Sequence, residues 1–208
     1  MSQFFQINAD NPQARLVNQA VACLRGGGVI IYPTDSGYAL GCCIGDKNTI
    51  NRIRQIRQLD PKHDFTLMCR DLSEVANYAR VDNWAFRLIK SYTPGPYTFI
   101  LKATSEVPRR LQHPKKKTIG LRVPNHNISL ALLESMGEPL ITTSLSIPNI
   151  DEELFADPYE IRELLAKQVD LIIDGGFCSY LPTSVIDLTE GHPQIIREGA
   201  GDISGFSE

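Results

Sequence analysis

Gly28-Val29-Ile30-Ile31-Tyr32-Pro33-Thr34-Asp35-Ser36 is the stretch on which the reading of this chain turns. Val29, Ile30 and Ile31 are β-branched, and with Tyr32 they form a short apolar run without alternation. That pattern belongs to a strand buried on both faces. Gly26, Gly27 and Gly28 stop a helix just before it. The apolar positions Leu16, Val17, Ala20, Val21 and Leu24 recur at helical spacing, and Asn11-Pro12 reads as the helix start. Pro33 is expected to end the strand. A polar, hydroxyl-rich turn then follows at the place where α/β sheets put their ligands. An ordinary strand-ending turn with a local hydroxyl bond is the competing reading.

Outward from this stretch, the pattern predicts strands over 39–44, 65–69, 97–102, 118–123, 140–145, 169–173, 184–188 and 194–197. Helices are expected over 72–78, 83–92, 128–136 and 158–167. Another, capped by Asp46, carries Ile50, Ile53 and Ile56 on one face. The expectation is about eight strands and six helices in one α/β domain spanning 1–208. Its sheet is mixed: helices and strands alternate at first, and closely spaced strands near the C-terminus add antiparallel pairs. Residues 147–157 read as a loop.

The chain has 208 residues, 42% hydrophobic and 22% charged, which suits a packed globular domain. No run of about 20 apolar residues is present, so no membrane partner is expected. The opening Met1-Ser2-Gln3-Phe4-Phe5-Gln6 lacks a basic region followed by an apolar run, and a cytoplasmic location is the expectation. Five cysteines, with Cys42 and Cys43 adjacent and no C-x-x-C, read as reduced thiols. Adjacent strand residues face opposite ways, so that pair is not a chelate. The four histidines make no zinc-ligand spacing, and no protein-bound metal is expected. A P-loop motif and a G-x-S-x-G elbow are both absent, and no catalytic nucleophile stands out.

The net charge of −3 hides a strong asymmetry. Residues 47–70 carry +4 and residues 102–126 carry +6, leaving −13 for the rest. Two separated basic segments gathered into one concave surface would suit phosphates. Arg52, Arg54, Arg57, Lys62 and His63 form the first candidate set, with a solvated helix face as the bland alternative. His113, Lys115, Lys116 and Lys117 form the second, with a simple exposed loop as its alternative. Arg122 differs, because it interrupts an apolar strand and a charge there needs a partner. Arg197, after Ile195-Ile196, repeats that pattern. Thr142-Thr143-Ser144 places hydroxyls at a strand end.

Several motifs in order resemble the YrdC-like family of threonylcarbamoyl-adenylate synthases, with details nearest its YciO branch. These are the 28–36 stretch, Pro94-Gly95-Pro96-Tyr97-Thr98, Thr118-Ile119-Gly120-Leu121-Arg122-Val123-Pro124-Asn125-His126, and the strand from Pro139 to Ser144. Asp174-Gly175-Gly176, Pro182-Thr183-Ser184-Val185-Ile186-Asp187 and Ile195-Ile196-Arg197-Glu198-Gly199-Ala200 close the series. The resemblance covers about residues 12–201. It implies a twisted mixed sheet around a positively charged concave surface. It also implies an activity combining L-threonine, bicarbonate and ATP, with Mg2+ accompanying the ATP. The products are pyrophosphate and threonylcarbamoyl-AMP, which later modifies an adenosine of some tRNAs. By the same resemblance, Thr34, His63, Arg122, Thr142 and Ser184 are expected to contact threonine. Arg57, Thr118, Ser144 and Arg197 are expected to contact ATP. Arg52, Arg54, Lys62, Lys115, Lys116 and Lys117 are phosphate or RNA candidates, and binding of double-stranded RNA or tRNA without synthase activity is the alternative function.

Two departures stand out. The synthase K-x-R reads Arg57-Gln58-Leu59 here, and S-x-N reads Ser144-Leu145-Ser146. Losing one guanidinium from a phosphate clamp costs about 2–4 kcal/mol of transition-state stabilisation.

Overall fold

The 28–36 stretch does enter the sheet as a buried strand, but the strand runs through its proline. The computed structural model describes residues 2–60 and 63–206. In chain order the elements are β1 (Gln3–Gln6), α1 (Ala14–Arg25), β2 (Ile30–Thr34), β3 (Gly37–Cys43), α2 (Lys47–Arg57), β4 (Thr66–Met68), α3 (Leu72–Tyr78), β5 (Ala79–Arg80) and α4 (Asn83–Tyr92). They continue with β6 (Tyr97–Ala103), β7 (Thr118–Arg122), α5 (Asn127–Met136), β8 (Leu140–Ser144), α6 (Pro158–Leu165), β9 (Leu171–Asp174), β10 (Ser184–Asp187) and β11 (Gln194–Arg197). All eleven strands join one sheet in the order β1-β9-β2-β3-β8-β4-β7-β6-β10-β11, with β5 paired to β6.

Pro33 is tolerated because pairing of β2 with β9 stops at Ile31, so that flank has no further ladder to interrupt. On its other side β2 pairs antiparallel with β3, and the pair Thr34–Gly37 closes a tight turn made of Asp35 and Ser36. Gly37 has φ 109°, and a Cβ there would lie 2.5 Å from the carbonyl oxygen of Ser179. After β1 and α1, an antiparallel hairpin of β2 and β3 therefore stands in the middle of the expected mixed α/β sheet. Parallel pairs occur at β1–β9, β2–β9, β4–β7 and β6–β10, and the expected antiparallel addition is β10–β11.

Helix α1 starts at Ala14 rather than at Asn11-Pro12. Asn8 accepts from the amides of Asp10 and Asn11, so a side-chain-closed turn holds that segment outside the helix. Asp46 caps α2 through the amides of Asn48 and Thr49, and Ile50, Ile53 and Ile56 are buried as the spacing predicts. Strand β1 escaped the sequence reading because it is four residues long and lacks alternation; it lies at the sheet edge against β9. The 147–157 loop contains a short 3-10 turn, Glu152–Ala156.

The pleat sends alternate residues to two separate cores. The larger holds Ile31, Leu40, Leu67, Phe99, Leu121, Ile141 and Ile186. The smaller lies under α1 and α5 and holds Ile30, Tyr32, Ala39, Met68, Leu140 and Ile173. Cys42 packs in the larger core and Cys43 against the smaller, as their adjacency requires. All five cysteines are free. Among the described residues no helix is long and apolar enough to cross a membrane.

Candidate functional site

Helices α1 and α5 cover only part of the face that carries Met68 and Leu140. The uncovered part of the same face is a cavity of about 500 Å³. Its floor follows from strand alternation: Thr66, Thr98, Ile100, Thr118, Gly120, Arg122, Thr142, Ser144, Val185 and Asp187 line it. Their sequence neighbours Leu67, Phe99, Leu121, Ile141 and Ile186 point into the larger core. A Cβ at Gly120 would sit 2.9 Å from Thr66 Oγ1 and 3.2 Å from Thr98 Cγ2, so this glycine keeps the floor open.

Arg122 is 4% exposed. Its expected partner is Asp35 at the β2–β3 turn, which takes Nη2 in an ion pair. Nη1 donates to Ser36 Oγ at 3.0 Å. The second oxygen of Asp35 accepts from the Asn125 amide at 2.9 Å, so one carboxylate holds the hairpin tip to the segment after β7. Nε of Arg122 is buried without a hydrogen-bond partner among the described residues. Arg122 also lines the cavity, and a buried donor without a partner calls for an acceptor there.

Arg57, at the end of α2, donates from Nε to the Ser146 carbonyl at 2.9 Å and from Nη1 to Thr143 Oγ1. Burial, and then the charge of Arg197, push its pKa down to about 10. Arg197 lies on the exposed edge strand β11 and donates to the Thr183 carbonyl from Nε at 3.1 Å and Nη2 at 2.8 Å. It is therefore not a strand-buried charge like Arg122. Burial also lowers the pKa of His63, with Arg57 as the next cause. His113 accepts at Nδ1 from the amides of Lys115 and Lys116, at 3.3 and 3.1 Å, which leaves the ring proton on Nε2 at the cavity wall.

Of the residues singled out in the sequence, Arg57, His63, Lys116, Thr118, Arg122, Thr142, Ser144 and Arg197 come together on this wall. Others do not. Thr34 is buried behind Arg122, donating to the Gly37 carbonyl at 2.6 Å and contacting Ser36 Oγ at 3.2 Å. Ser184 is fully buried; it donates to the Gly201 carbonyl and accepts from the Gly199 amide, so it pins the C-terminal segment. Arg52 is paired with Asp170 at 2.7 Å beside a different groove. Arg54 lies over the Phe65 ring at 5.2 Å. Lys115 is exposed outside the cavity lining, and Lys117 Nζ donates to the Pro114 carbonyl. Lys62 lies outside the described residues. Thr98, Thr183 and Asp187, which belong to the family-like motifs but were not singled out as contacts, also line the cavity, as do Glu152 and Tyr180, which had no sequence signal beyond their loop positions. Asp35 was legible in principle, as the acid inside the hydroxyl turn facing a strand arginine in need of one.

A family model described as "Telomere recombination", covering the Sua5, YciO and YrdC proteins, matches residues 22–199. The chain belongs to the Sua5/YciO/YrdC family. It is 62% identical to the protein YciO of Escherichia coli K12 over 206 residues, 99% of this chain and all of the relative. The E. coli YciO crystal structure superposes with a TM-score of 0.95 over the full length of both chains, at 61% identity. A threonylcarbamoyl-AMP synthase of Coxiella burnetii RSA 493 is 30% identical over 185 residues, 87% of this chain and 96% of the relative. The crystal structure of P. abyssi Sua5 complexed with L-threonine matches at 25% identity with a TM-score of 0.84, over 95% of this chain and 58% of that one. Leu59 packs against the larger core.

Two outcomes follow from this geometry. Asp35→Ala leaves a buried arginine without its counter-charge, and a loss of about 3–5 kcal/mol is expected in urea unfolding; a loss under about 1 kcal/mol would contradict the pairing. Burial depresses the folded-state pKa of both His63 and His126. Below about pH 6.5 the unfolded chain then binds more protons at these residues, so stability falls with pH there and is unaffected above. Chemical denaturation at pH 5.0 and 7.5 should show a smaller pH difference in the double variant His63→Gln/His126→Gln than in the wild type.

Proposed function

We propose that this family member binds ATP and L-threonine in the cavity and makes threonylcarbamoyl-AMP. In the balanced reaction, the threonine amine attacks bicarbonate and water leaves, giving a carbamate. A carbamate oxygen then displaces pyrophosphate from the α-phosphorus of ATP. Neither step needs a protein nucleophile, and the chain's contribution is positioning and charge neutralisation. The observation that carries the reading is the buried, unpartnered Nε of Arg122, a residue that lines one cavity together with Arg57, Lys116 and Arg197. A carboxylate at Arg122 and phosphates at the other three would use charge-assisted donors at both ends of the reacting pair.

In this reading Arg122 holds the threonine carboxylate, and Thr142, bonded to Tyr32 Oη at 2.9 Å, borders the same ligand. Thr34 acts indirectly, by fixing Ser36 against Arg122. Ser184 acts through the 199–201 segment and not by contact. Thr118, Ser144, His63 and His113 border the nucleotide. Among the described residues no three His, Cys, Asp or Glu side chains converge as a metal site. Magnesium enters as the ATP complex and is part of the substrate. The alternative, a surface for double-stranded RNA or tRNA, draws on the exposed Lys115 and Lys116, and it requires no pyrophosphate chemistry.

Purified protein with ATP, magnesium, bicarbonate and L-threonine should release pyrophosphate only when threonine is present. Arg197→Ala is expected to lower kcat/KM by about 100-fold. Absence of threonine-dependent release at high protein concentration would overturn the synthase reading.

A further inference from the structure

The cavity that gathers Arg57, Lys116, Arg122 and Arg197 also contains the carboxylate of Glu152. Ser146 explains why it is there. Its carbonyl accepts from Arg57 Nε at 2.9 Å, and its hydroxyl donates to Glu152 Oε1 at 2.9 Å. A single residue, standing where the synthase motif has asparagine, thus ties a guanidinium and a carboxylate to the same stretch of wall. An asparagine would present an amide there instead of a hydroxyl.

The carboxylate belongs to a fixed element. Glu152 opens a 3-10 turn capped by Asp151 and anchored by buried Phe155. The turn is joined to the opposite loop twice: the Cys178 amide donates to the Ala156 carbonyl at 3.1 Å, and Tyr180 Oη donates to Glu153 at 3.4 Å. Glu153 itself lies outside the cavity lining. The charge of Glu152 also reaches Arg57, where it opposes the lowering caused by burial and Arg197.

We propose that Glu152 is a specificity-determining residue, a resident negative charge that makes the cavity disfavour densely anionic ligands beside Arg57. A free triphosphate is then penalised relative to a monophosphate. This inference rests on the reading that Arg57 and Arg197 hold phosphates.

The test uses the full chain and calorimetry, with tripolyphosphate and AMP as probes and a chelator present to remove divalent cations. Glu152→Gln should tighten tripolyphosphate binding about 5-fold and AMP less than 2-fold, the scale of an exposed charge pair. The gain should shrink at high salt. Glu153→Gln changes net charge equally and should leave both affinities within about 1.5-fold. Equal tripolyphosphate affinity in the wild type and Glu152→Gln would overturn this inference alone. An equal gain in Glu153→Gln would do the same, by showing a mere net-charge effect. If neither probe binds wild type or variant at millimolar concentration, the phosphate reading falls and this inference with it.

Discussion

The ion pair between Arg122 and Asp35 is the contact around which the site is organised. An arginine in the last position of an interior strand cannot be left uncompensated, because an unpaired buried charge costs several kcal/mol. The paired carboxylate belongs to the tip of a hairpin three strands away in the sheet, since β8 and β4 separate β3 from β7. Three flat strand spacings amount to about 14 Å, more than an aspartate–arginine pair can span. The pair therefore requires the hairpin tip to bend over the sheet toward β7. Asp35 finishes the closure by accepting from Asn125. Two of the three guanidinium nitrogens are thereby fixed, and the third is buried without a hydrogen-bond partner among the described residues.

Strand periodicity does the rest. Each strand through the middle of the sheet divides its residues between a filled core and an open face. On the open face, β7 presents Thr118, Gly120 and Arg122 while Ile119 and Leu121 pack behind. Cations arrive from outside the floor: Arg57 from a helix end, Arg197 from an edge strand, and Lys116 from a loop whose backbone His113 holds in place. Their mutual repulsion, and the partial burial that lowers the pKa of Arg57 and Arg197, are tolerable where an anion compensates them.

Much of this was legible in the sequence. The apolar run at 29–32 and the capped helix after Asp46 each carry local signals strong enough to survive tertiary context. Arg122 was legible because a charge inside an apolar strand is an anomaly that demands a partner. What escaped depends on long-range geometry. The extension of β2 through Pro33 depends on where β9 stops pairing. The real duty of Ser184 depends on a segment 15 residues further on, and the diversion of Arg52 depends on Asp170. Family resemblance carried Ser184 into the site by motif position. The structure shows that its hydroxyl is spent on backbone groups.

The assignment of Arg122 Nε to a ligand carboxylate can be read from the arginine Nε–H resonances of a 15N-labelled sample titrated with L-threonine. The Arg122 signal should shift saturably, while that of Arg52, engaged with Asp170 beside another groove, stays fixed. Saturable threonine binding that leaves the Arg122 signal unmoved would contradict the claim.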